Sequence, residues 1–130
     1  MNSLLLFSGP CTEQTAAEVR RTLASAPMTA LLPAALREDL ILAATELLTN
    51  AVRAGATTVD VALDVAPGQV ELKVADDAPG RPRRRQPALS DVHGRGLQIL
   101  DAVAAQWGHR PAAGRAAAGK TVWARFALRG

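Results

Sequence analysis

The chain has 130 residues, 48% hydrophobic and 3% aromatic, with a formal net charge of +3; that length and apolar share exclude wholesale disorder and fit one domain around a single core. No stretch approaches the ~18–20 uninterrupted apolar residues of a membrane span, so no membrane partner is expected. All basic residues except Lys73 and Lys120 are arginine and the pI is about 10.0, yet there is no tyrosine and the few Phe and Trp are scattered, so no base-stacking platform and no direct nucleic-acid partner are expected.

The segment from Met1 to Phe7 lacks the basic n-region and long apolar h-region of a signal peptide, which makes the cytoplasm the expected compartment. Leu4 to Ser8 reads as a short strand closed by Gly9-Pro10. Cys11 stands alone, with no disulfide partner and no metal-type cysteine spacing. Thr15-Ala16-Ala17-Glu18 has the form of a capping box, opening a helix that runs to about Ala26 and stops at Pro27. A loop follows. Pro33 suits the first turn of a second helix, roughly Ala34 to Ala54, with Leu36, Leu40, Ala43, Leu47, Ala51 and Ala54 at helical spacing and Gly55 as its natural end.

The period then changes from helical to strict alternation. Val59, Val61, Leu63 and Val65 share one strand face, Pro67-Gly68 turns the chain, and Gln69 to Val74 alternates again, which predicts an antiparallel hairpin. From Asp77 to His93 the pattern dissolves into Pro79, Gly80, Pro82, Pro87 and the arginines Arg81, Arg83, Arg84 and Arg85; a structureless connection of that length is usually functional. Gly94-Arg95-Gly96 opens a helix through Val103 that Trp107-Gly108 ends, and a Gly/Ala-rich turn leads into a last strand, Thr121 to Leu128. No repeat or second domain is visible, so residues 1–130 read as one domain. Strand, helices, hairpin, loop, helix and strand predict a two-layer α/β sandwich, a mixed or antiparallel sheet with helices on one face.

Four features in this frame carry chemistry. Glu46 and Asn50 lie at i and i+4 on a largely apolar helix, where a carboxylate and a carboxamide are costly to bury unless paired or bound. Asn50 could offer its amide oxygen to a hard cation such as Mg²⁺ and Glu46 could orient or deprotonate a nucleophile; two polar residues facing solvent from the outer side of the helix are the plainer alternative. Asp76 ends a strand, where ligand crevices form and a carboxylate can accept from an exocyclic amine such as that of adenine; an Asp-rich turn is the plainer alternative. Gly94-Arg95-Gly96-Leu97 at a helix start suits an anion through free N–H groups and a guanidinium fork, or is simply a packing turn. Gly119-Lys120-Thr121 brings a cation and a hydroxyl to the start of the final strand, or forms a hairpin turn beside a buried Trp123.

Taken in order, these features resemble the GHKL ATPase superfamily, the fold of gyrase, a heat-shock chaperone, sensor histidine kinases and mismatch-repair ATPases. Thr45 to Val52 resembles its N box, Asp76 to Gly80 its first glycine box and Gly94 to Leu97 its second. The stand-alone branch of bacterial anti-sigma-factor serine/threonine kinases, actinobacterial type, is the more similar, because its members share Gly-Arg-Gly-Leu followed by Trp-Gly and Gly-Lys-Thr-Val-Trp. The resemblance covers about Leu36 to Phe126.

The resemblance implies a single ATP-binding domain in which Asn50 coordinates Mg²⁺ on the ATP phosphates and Glu46 is the general base. Asp76 would read the adenine amino group, with Thr121 beside it through a bridging water. Gly80 and the loop after it would form a lid, and Gly94, Arg95, Gly96 and Leu97 would hold the phosphates. It further implies a serine/threonine protein kinase and anti-sigma factor that phosphorylates a serine on an anti-anti-sigma (STAS-type) partner and otherwise sequesters a sigma factor. Homodimer formation stays open, and the chain lacks room for a histidine-bearing dimerisation domain. Two departures stand out. Ala78 occupies the first glycine of the Asp-x-Gly-x-Gly box, where alanine would disfavour a positive φ. The lid from Arg81 to His93 is short and proline-rich, with arginines placed to steer a triphosphate, to meet an acidic partner, or to serve as solvated charge. The Ala78 departure favours an alternative function, a non-catalytic partner-binding regulator with or without nucleotide.

Overall fold

The computed structural model describes residues 2–78, 98–111 and 119–128, with Met28 by its backbone alone. In chain order come β1 (Asn2–Pro10), α1 (Thr15–Ser25), α2 (Pro27–Ala30), α3 (Ala34–Arg53), β2 (Thr58–Ala66), β3 (Gln69–Asp76), β4 (Gln106–Pro111) and β5 (Lys120–Ala127). Residues 98–103 are helical as well. The strands form a sheet in the order β1-β2-β3-β5-β4, antiparallel at every pairing. This is the α/β sandwich that the alternation of periods predicts.

One face of the sheet is apolar and carries the helices. Val59, Val61 and Leu63 of β2, Val70, Leu72 and Val74 of β3, and Val122, Ala124 and Phe126 of β5 are buried in phase beneath Leu40, Leu47 and Leu48 of α3. Fully burying one such leucine contributes about 1.5–3 kcal/mol, so this face is what docks the helices. A bulge in β1 between Leu5 and Phe7 leaves Leu6 out of register and turns it into the same core. The opposite face is polar and tied by ion pairs, Lys73 to Asp64 and Arg125 to Glu71, both at 2.6 Å. The hairpin turns on Pro67-Gly68, and Gly68 takes φ +78, the value a type II turn demands after proline. Among the described residues no helix is long and apolar enough to cross a membrane.

Three local expectations are corrected. Thr15 is the first helical residue and not the cap: its hydroxyl donates to the Pro10 carbonyl at 3.0 Å and accepts from the Thr12 amide at 3.0 Å, so it secures the β1–α1 connection. The sequence predicts a loop after Pro27, but Pro27 both stops α1 and starts α2 as its first residue, while Ala26 before it is held extended. Trp107 and Gly108 do not end a helix. They lie within β4, which begins where the Ala105 amide reaches the Arg125 carbonyl. Gly108 faces Trp123 across the ladder, and a Cβ there would stand 2.6 Å from the indole Cζ2, so this glycine lets a large ring lie flat over an edge strand.

Candidate functional site

The C-terminal half of α3 carries Glu46 and Asn50. Both stand beside the buried stripe of Ala43, Leu47 and Ala51 and are half-buried, neither fully solvated nor in the core. No described residue bonds to the Glu46 carboxylate. The Asn50 Oδ1 is itself buried and has no hydrogen-bond partner among the described residues. A carboxamide oxygen withdrawn from water without a donor is normally destabilising by about 1–3 kcal/mol, so this atom calls for a bound water, an ion or a ligand.

The end of α3 is anchored by a Schellman motif. Gly55 takes φ +87, the Ala56 amide donates to Ala51 and the Gly55 amide to Val52. The accompanying apolar contact, Ala51 with Ala56, recruits Ala78 and the half-buried Cys11 into one small cluster. That cluster fixes the helix end carrying Asn50 against the chain just after Asp76. Ala78 is fully buried and no non-glycine residue described has a positive φ, so alanine here is a packing residue without backbone strain.

Asp76 ends β3 in phase with Val70, Leu72 and Val74 and is 2% exposed. Its Oδ1 accepts from the Ala78 amide at 2.9 Å, and Lys120 Nζ donates to Oδ1 at 3.1 Å and to Oδ2 at 2.9 Å. The register explains the pairing: Asp76 lies opposite Lys120, and Ala75 opposite Thr121. Successive residues of a strand face opposite sides, so the side chain beside Asp76 is Lys120, whereas Thr121 is buried on the other face. The expectation that Thr121 stands beside Asp76 is corrected on that ground. Lys120 was legible in principle. It is in phase with Val122, Ala124 and Phe126, and a cation in phase with core positions calls for a buried counter-charge. The close approach of the two strands depends on Gly119, where a Cβ would lie 1.8 Å from the Asp76 carbonyl oxygen.

Asp77 points the other way and ties down the start of β2. It accepts from the Thr57 hydroxyl and from the Thr57 and Thr58 amides, the latter two at 2.7 and 3.0 Å, and these bonds hold its carboxyl well below the usual range. Burial pushes the Cys11 thiol up, the charges of Asp76 and Asp77 add to that, and Lys120 opposes it. Gly80, the arginines from Arg81 to Arg85, and Gly94, Arg95, Gly96 and Leu97 lie outside the described residues. A cavity of 390 Å³ lined by Leu36, Asp39, Val103 and Phe126 sits at the other end of α3 from Asn50 and contains none of the expected site residues.

A family model for the histidine kinase-like ATPase domain matches residues 10–126. The chain belongs to that family. Membership assigns it the ATP-binding fold of the GHKL type and, at that level, ATP as its ligand, usually with Mg²⁺. The residues fit such an ion in one respect that can be checked directly: the orphaned Asn50 Oδ1 is a hard, neutral oxygen, of the kind Mg²⁺ takes beside phosphate and water. No curated protein matches the chain.

Proposed function

We propose that this single ATP-binding domain is a serine/threonine protein kinase of the switch type. In this reading it phosphorylates a serine on an anti-anti-sigma (STAS-type) partner and otherwise sequesters a sigma factor in the cytoplasm. The buried, unpartnered Asn50 Oδ1 one helical turn from Glu46 is the observation that carries the reading. Mg²⁺ held there would neutralise charge on the phosphates of bound ATP. Glu46, half-buried and unbonded among the described residues, accepts the proton of the partner's serine hydroxyl. The serine oxygen then bonds to the γ-phosphorus as the bridging oxygen leaves with ADP. Catalysis of this kind is mainly positioning and charge stabilisation, which suits a carboxylate mounted on a rigid helix. Gly94, Arg95, Gly96 and Leu97 are proposed to hold the phosphates, and Gly80 to begin the lid.

The test is γ-phosphate transfer to a candidate STAS-type domain. Glu46→Ala is expected to cut turnover by roughly 10²–10⁴ with ATP binding still measurable. Unchanged transfer in that variant refutes Glu46 as the base. A second reading, a non-catalytic partner-binding regulator with or without bound nucleotide, draws support from Lys120 on the Asp76 carboxylate, since the ammonium takes one acceptor site on each oxygen of the group expected to meet adenine. ATP binding without transfer to any serine-bearing partner would favour it.

A further inference from the structure

The Asp76–Lys120 pair has spare hydrogen-bonding capacity of a defined shape. A carboxylate offers about four acceptor sites. The Ala78 amide takes one on Oδ1 and Lys120 Nζ takes one on each oxygen, which leaves one on Oδ2. The ammonium has three N–H donors, of which Asp76 engages two, leaving one. An acceptor and a donor therefore lie side by side, about 3 Å apart, where β3 ends and β5 begins. Both belong to side chains almost withdrawn from water, 3% exposed for Asp76 and 13% for Lys120.

Adenine presents the complementary edge, an exocyclic N6–H donor next to the ring N1 acceptor. We infer that Lys120 is a nucleobase-binding residue: it stays on Asp76 when nucleotide binds and donates its remaining N–H to N1, while the free lone pair of Asp76 Oδ2 accepts from N6. The inference rests on the ATP reading of this site and extends it to a direct, charge-assisted contact with N1. Thr121 cannot supply that contact from the opposite face of the sheet. A charged donor retained on a buried carboxylate costs less than one displaced from it, because displacement would strand an ammonium in an apolar setting.

The test is calorimetric binding of Mg-ATP and of its 1-deaza analogue, in which N1 is replaced by C–H, to the wild-type chain, Lys120→Met and Lys120→Gln. The wild type is expected to bind the analogue about tenfold or more weakly than ATP, the loss of one charge-assisted hydrogen bond. Lys120→Met is expected to bind the two ligands within about threefold of each other, both weakly, and Lys120→Gln, which keeps a neutral donor, to fall between. Equal affinity of the wild type for both ligands overturns the inference, and needs no variant to fold. So does Lys120→Met binding ATP as tightly as the wild type. Wild-type chain that binds no ATP overturns the ATP reading itself, and the inference with it.

Discussion

The pairing of Asp76 with Lys120 makes a prediction about stability that needs no nucleotide. The ammonium lies 2.9 and 3.1 Å from the two carboxylate oxygens, with the side chains 13% and 3% exposed. At that separation the gross attraction is about 5 kcal/mol for an effective dielectric of ~20, and desolvation cancels part of it. Removing one partner strands the other. Asp76→Asn keeps the acceptor for the Ala78 amide but sets an amide N–H₂ against the ammonium, and Lys120→Met leaves the carboxylate without a counter-charge. Each is expected to cost about 3 kcal/mol. The double variant restores a neutral, volume-matched pair and is expected to cost about 3 kcal/mol in total, so the cycle shows a coupling of about 3 kcal/mol. The assay is urea unfolding of the four proteins, with equal m-values as the check that the denatured states are comparable. The Lys73–Asp64 pair is the internal control: it is shorter, at 2.6 Å, but 30% and 13% exposed, and its coupling is expected below about 1 kcal/mol. A coupling for Asp76–Lys120 under about 0.5 kcal/mol refutes the argument that burial, and not distance, sets the strength of these pairs.

Asn50→Ala is expected not to lower the unfolding free energy and to raise it by up to about 1–3 kcal/mol, because it removes a buried oxygen with no described partner, while Mg²⁺-dependent ATP affinity falls tenfold or more; thermal unfolding and calorimetry read the two effects separately. Gly119→Ala is expected to destabilise by about 2–3 kcal/mol, since its Cβ would meet the Asp76 carbonyl oxygen at 1.8 Å and backbone must move; an unfolding midpoint equal to wild type would refute the tight crossing. Bonds from Thr57 and Thr58 depress the folded pKa of Asp77, so its contribution to stability is complete above the ordinary carboxylate range and is lost as pH falls below it. Asp77→Asn is therefore expected to flatten the acid limb of the stability–pH curve, as followed by urea titrations from neutral pH downward.

Hydrophobic period alone made the hairpin of β2 and β3 legible, with its turn at Pro67-Gly68, and α3 down to its glycine stop at Gly55. In each the local chemistry and the burial pattern agree, so no distant contact was needed. The same helix displayed Glu46 and Asn50 as a polar pair on an apolar stretch, and the strand displayed Asp76 at its end. Elsewhere the decision lay in tertiary contacts. Trp107-Gly108 looks like a helix stop until Trp123 of β5 lies across it, because only the neighbouring strand shows why a glycine belongs in β4. Thr15 has the local form of a cap, yet the approach of Pro10 assigns its hydroxyl elsewhere. Above all, the strand register decided which residue answers Asp76. Thr121 and Lys120 are neighbours along the chain, but the pleat sends them to opposite faces, and a one-residue difference in pairing moves a side chain from one side of a sheet to the other.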